Sequence, residues 1–120
     1  MDALSKTPDP RGVTVMNTKI IIICSKQNGI QAKPENALTR VEDTLEFFLR
    51  GGADTTVTIS GKENYPGSEW IQGTGTVGGS FTVPIPPDLD IPERPGVNVY
   101  GYNIDVAGVG MLDPLVTVRR

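Results

Sequence analysis

Along most of this chain apolar and polar positions alternate with a period of two. In the stretch Thr44 to Arg50, Leu45, Phe47 and Leu49 fall on one face and Glu46, Phe48 and Arg50 on the other. That is the signature of a half-buried strand. Thr55 to Ser60 repeats it with Val57 and Ile59 inward, and Ser80 to Ile85 with Phe81, Val83 and Ile85 inward. Pro84 falls on the opposite face and predicts an edge strand, because proline donates nothing to a ladder. Val97 to Val106 carries Tyr100, Tyr102, Ile104 and Val106 in phase, and Leu112 to Val118 carries Leu112, Pro114, Val116 and Val118. Lys19 to Ser25 reads as a strand from its β-branched residues alone. Val13-Thr14-Val15 reads as a short edge strand before it.

The connections are equally marked. Asn28-Gly29 predicts a type I′ hairpin turn, whose two central residues take positive φ, with Ile30 to Lys33 as the return strand. Gly51-Gly52-Ala53-Asp54 is a turn, and the proline-rich, acidic stretch from Pro86 to Gly96 is a loop. Glu35 to Asp43 reads equally as a single helical turn behind Pro34 or as a strand or irregular loop. Gly61 to Gly79 is a long glycine-rich connection in which Trp70 to Val77 suggests a short hairpin of its own. The pattern predicts an all-β protein: an antiparallel Greek-key β-sandwich of about seven or eight strands. The sandwich would span residues 13–120, behind a flexible arm over residues 1–12 that contains Pro8, Pro10 and Gly12.

Composition narrows the chemistry. With 120 residues the chain builds one core. Its net charge of −3 offers no broad positive field, which argues against nucleic-acid binding and against polybasic attachment to a membrane. The chain has no histidine, which removes Ser-His-Asp and Cys-His catalysis and the commonest metal ligand. Cys24 is the only cysteine, so no internal disulfide forms; within the isoleucine run it reads as a small buried hydrophobe. No stretch has the length of a membrane-spanning helix, and Met1 to Gly12 lacks the apolar centre of a signal peptide. The expected location is the cytoplasm if the chain is full length, and a secreted or periplasmic one if a leader was removed.

Candidate sites follow from residue type and placement. Tyr65 and Trp70 on the glycine-rich connection are suited to stacking on a sugar or anchoring a protein partner, with Glu63 and Glu69 to accept hydrogen bonds from hydroxyls. The plainer expectation is that Trp70 folds back over one end of the sandwich. Glu63 and Glu69 also admit a carboxylate-only hydrolase. Asp88, Asp90 and Glu93 lack the pattern of a calcium loop and read as solvated charge. Tyr100 and Tyr102 are expected to point inward, one hydroxyl bonding to backbone as in a tyrosine corner. Ile20, Ile21, Ile22 and Ile23 are consecutive, where a strand with one wet face would alternate. Such a run wants both faces covered, so these residues are candidates for self-association or a partner contact.

The stretch Tyr100-Gly101-Tyr102-Asn103-Ile104-Asp105-Val106, the loop ending at Gly110-Met111 and the closing Leu112 to Val118 together resemble the cupredoxin-like, or plastocyanin-like, sandwich. Ala32-Lys33-Pro34 leading to Thr44-Leu45-Glu46-Phe47 fits its early strands. The resemblance covers residues 19–118 and implies a cupredoxin-like fold ahead of an immunoglobulin-like one. Its copper site does not carry over. Ile104 stands where that family has its ligand cysteine, no imidazole exists, and Met111 alone falls near a ligand position, where it is expected to be a packing residue. Blue copper needs a thiolate and two imidazoles, so no cofactor is expected. The expected function is therefore non-catalytic binding or assembly, through a protein partner or self-association, with carbohydrate binding by the Tyr65/Trp70 loop as the alternative.

Overall fold

A computed structural model describes residues 6–8, 14–52 and 55–120 of the chain. Among these, eleven strands form two packed sheets and there is no helix. The first sheet contains β1 (Lys6–Pro8), β2 (Thr14–Ser25), β3 (Gly29–Lys33), β5 (Thr44–Gly51) and β8 (Ser80–Pro84). The second contains β4 (Asn36–Arg40), β6 (Thr56–Gly61), β7 (Gln72–Thr76), β9 (Val97–Val106), β10 (Gly110–Leu112) and β11 (Leu115–Arg119). The period-2 faces close on each other as their pattern requires. Ile20, Ile22 and Cys24 from β2 and Leu45, Phe47 and Leu49 from β5 meet Tyr100, Tyr102, Ile104 and Val106 from β9 and Val116 and Val118 from β11. The all-β sandwich stands.

The structure departs from the sequence reading in direction and in detail. The sandwich is mixed, not wholly antiparallel, because β2 runs parallel to β5 and β4 parallel to β11. Side-chain parity reports which face a residue occupies and says nothing of strand direction. Within Glu35 to Asp43 the structure has a strand and no helical turn: Asn36–Arg40 forms β4 beside β11, with Ala37 and Thr39 buried, and a turn at Val41-Glu42 follows, Glu42 taking φ 73. The β2–β3 connection has three residues, Lys26 to Asn28, with Ser25 paired to Gly29. Ser25 Oγ accepts from the amides of Gln27 and Asn28, both at 3.2 Å, and Gly29 alone takes positive φ, so this is not the type I′ turn. The closing strand splits at Asp113-Pro114: β10 pairs with the last part of β9 and β11 with the first part. Of the N-terminal arm, Lys6–Pro8 pairs with β2; Met1 to Ser5 and residues 9–13, Val13 included, lie outside the described residues, as do Ala53 and Asp54 of the predicted turn.

Trp70 to Val77 does not fold on itself. Its strand β7 returns along β6 and delivers the chain, through Val77 to Gly79, to β8 in the other sheet. The two inward positions of β7 are Gly73 and Gly75 because the ring of Phe81, joined at Gly75 by the side chain of Leu49, occupies the space their side chains would take. A Cβ on Gly73 would lie 2.2 Å from Phe81 Cε2.

Tyr100 and Tyr102 both point inward, but neither is a tyrosine corner. Tyr100 Oη accepts from Asn98 Nδ2 at 3.3 Å, a side-chain partner, and Tyr102 Oη has no hydrogen-bond partner among the described residues. Burial pushes the Tyr102 phenol well above its ordinary pKa, since the core cannot solvate a phenolate. Cys24 is buried as read, and burial pushes its thiol up too. The thiolate is the reactive form. Cys24 is therefore expected to resist a disulfide reagent at mildly alkaline pH in native buffer and to react in full once the domain is denatured. Rapid native labelling would mean that β2 opens or that the sulfur is not in the core.

Candidate functional site

The glycine-rich connection after β6 folds as a chain of tight turns. Tyr65 N–H donates to Lys62 O at 3.1 Å, Ser68 N–H to Tyr65 O at 3.2 Å and Ile71 N–H to Ser68 O at 3.0 Å. Lys62 N–H ties its start to Gly101 O of β9 at 2.9 Å. The side chain of Lys62 reaches Asp113 at 3.6 Å, beside the break between β10 and β11. Buried Ile71 closes the far end. Between these anchors Tyr65 is laid over the outer side of β9, where Gly101 has no side chain to hold it off. Tyr65 remains half-buried.

The proline-rich loop from Pro86 to Gly96 comes up beside it. Ile91 is its buried pin, and Arg120 Nη2 donates to Ile91 O at 2.9 Å. Asn98 Nδ2 donates to Asp90 O at 3.2 Å and fixes the loop to β9. The two loops thus flank an open cleft of about 620 Å³. Tyr65, Pro66 and Gly67 form one wall, Asp88, Leu89 and Asp90 the other, and Asn98, Val99 and Tyr100 the floor. Both Asp88 and Asp90 are exposed. On the other side of the Tyr65-Pro66-Gly67 ridge lies a smaller hollow of about 240 Å³, lined also by Lys62, Glu63 and Glu69.

Of the residues singled out in the sequence, Tyr65, Glu63 and Glu69 come together around this ridge, whereas Trp70 does not join them. Its indole is half-buried and packs edge-to-face on Tyr100, with ring centroids 5.7 Å apart, and its Nε1 is buried. Trp70 therefore packs against the core and on Tyr100, and does not line the cleft. Asp88 and Asp90, read as solvated charge, are solvated but line the cleft. Asn98, Val99 and Pro66 were not picked out, because only the folded chain brings them beside Tyr65. Met111 does not pack in a core; it is 61% exposed on β10, opposite Asp105. Among the described residues no group of three or more His, Cys, Asp or Glu side chains is placed to hold a metal ion.

The isoleucine run divides by parity. Ile20 and Ile22 are in the core with no exposed surface, so only Ile21, which is 41% exposed, and half-buried Ile23 face outward. The outer face of this strand is not covered by the described residues in the way a run apolar on both sides would want.

No family model matches the chain, and no curated protein matches it. Similar solved structures include a multicopper oxidase, at 16% identity and a TM-score of 0.50, covering 95% of this chain and 45% of that one. A reduced Cu(I) form of an amicyanin mutant is similar at 12% identity and a TM-score of 0.47, covering 84% of this chain and 82% of that one. The fold is cupredoxin-like. The chain spans less than half the length of the multicopper oxidase that it matches.

Proposed function

We propose that this domain is a non-catalytic binding module and that the cleft beside Tyr65 takes a hydroxyl-rich ligand, a glycan. One observation carries the reading: a half-buried aromatic ring, two exposed carboxylates and an open cleft converge where two anchored loops meet. The apolar side of a pyranose stacks on an aromatic ring, and carboxylates accept from its hydroxyls. The wall that carries Asp88 and Asp90 repels phosphate-bearing ligands. Catalysis is a poorer fit. A glycosidase needs one carboxyl kept protonated by an apolar surround, and Glu63 and Glu69 stand exposed on the rim of their hollow.

Trp70 provides the readout, since it packs on Tyr100 in the cleft floor. Screening the protein against a broad glycan array, then titrating a retained glycan, is expected to give a saturable change in Trp70 fluorescence. Tyr65→Ala abolishes it, and Asp90→Asn weakens binding about tenfold through loss of a charged acceptor. Retention of no glycan, or equal retention by Tyr65→Ala, overturns the reading.

A further inference from the structure

The opposite face of the molecule has its own pattern. On the outer side of the first sheet, β2 and β5 run parallel in register, with Lys19 beside Glu46, Ile21 beside Phe48 and Ile23 beside Arg50. Ile21 is 41% exposed and Phe48 half-buried. Lys19 Nζ lies 6.0 Å from the Phe48 ring centre and the Arg50 guanidinium carbon 5.4 Å. Lys33 of β3 and Ser80 of β8 end the row that holds Ile21 and Phe48. The face thus has an apolar centre, a row of opposite charges at one end, and polar flanks.

We propose that this face binds a second copy of the chain, about a two-fold axis that runs parallel to the strands between β2 and β5. Such a rotation lays β2 of each copy on β5 of the other. Lys19 then meets Glu46 of the second copy, twice by symmetry. Ile21 meets Phe48, and Ile23 lies under the aliphatic stem of Arg50. Lys33 meets Ser80, so no like charges are opposed. An axis across the strands would pair Glu46 with Arg50 but would also set Lys33 on Lys33. Packed sheets lie about 10 Å apart with strands within about 30° of one another, so long charged side chains reach across. The glycan cleft is on the other sheet, and the two proposals stand or fall separately.

Light scattering behind size-exclusion chromatography, over a concentration series, tests the dimer. The full chain is expected to shift reversibly from monomer to dimer. Glu46→Lys and Lys19→Glu, each alone, place like charges in contact and weaken the dimer about tenfold or more. Mixing the two variants in equal amounts restores it as a heterodimer, because one then presents two lysines and the other two glutamates. The double variant in a single chain restores it as well. These restorations separate a contact between copies from a fault in folding, which mixing cannot repair. A wild-type chain that stays monomeric at every concentration overturns the proposal, as does a dimer indifferent to these charges. Sensitivity to Arg50→Glu without sensitivity to Lys19→Glu overturns the assigned axis.

Discussion

Phe47→Ala is expected to cost about 3–5 kcal/mol, a large share of the stability of a domain this size. Phe47 has no exposed surface, stacks on Phe81 with ring centres 5.3 Å apart and meets the Tyr102 ring edge-on at 5.8 Å. It is where the two sheets touch through aromatic rings. Removing it leaves a void that neighbours fill only in part. Phe81 is held over Gly73 and Gly75 of β7 and would have to leave that seat to follow. Tyr102 is fixed in the middle of β9, between β6 and the β10–β11 break. Urea unfolding followed by far-UV circular dichroism measures the effect, with the midpoint falling and the slope unchanged. A loss below about 1 kcal/mol would mean that the sheets close over the gap, and that the core is not held by this contact.

Phe47 also shows which parts of the fold were legible in the sequence. Its phase with Leu45 and Leu49 is a local signal, and strands such as β5, β6 and β9 were read from signals of that kind. β7 carried none. Its inward positions are glycines, and the apolar groups filling them belong to Phe81 and Leu49 on other strands. β4 was ambiguous for a related reason: Pro34-Glu35-Asn36 resembles a helix start, and Leu38, the residue that should have marked the inward face, is 75% exposed on the outer one. The parallel pairings were invisible because alternation is the same in either direction. The cleft was half legible. Tyr65, Glu63 and Glu69 stood out by type and loop placement, whereas Asp88, Asp90 and Asn98 become its other wall and floor through tertiary anchors, buried Ile91 and the hydrogen bond that ties the proline-rich loop to β9 among them.

The same dependence on tertiary placement makes Gly101→Val the sharpest test of the cleft. Gly101 is on the outer side of β9, paired with Leu115, and its φ is not in the left-handed region, so its backbone accepts a side chain. The obstacle is Tyr65. A Cβ on Gly101 would lie 2.5 Å from Tyr65 Cδ1, 2.7 Å from Cε1 and 3.0 Å from Cγ, whereas carbon atoms in contact are about 3.5–4.0 Å apart. The ring must swing off the sheet and take the Pro66-Gly67 wall with it. The expected result is a folded protein, destabilised by about 1–3 kcal/mol, that retains no glycan. Tyr65→Ala in the same chain removes the collision, so the double variant should be no less stable than Tyr65→Ala alone, a coupling that a double-mutant cycle reads directly. Binding should stay absent in both, since one has lost the ring and the other its seat. Full affinity in Gly101→Val would show that Tyr65 does not act from its place on β9, and would move the ligand contact off the ridge toward Asp88 and Asp90.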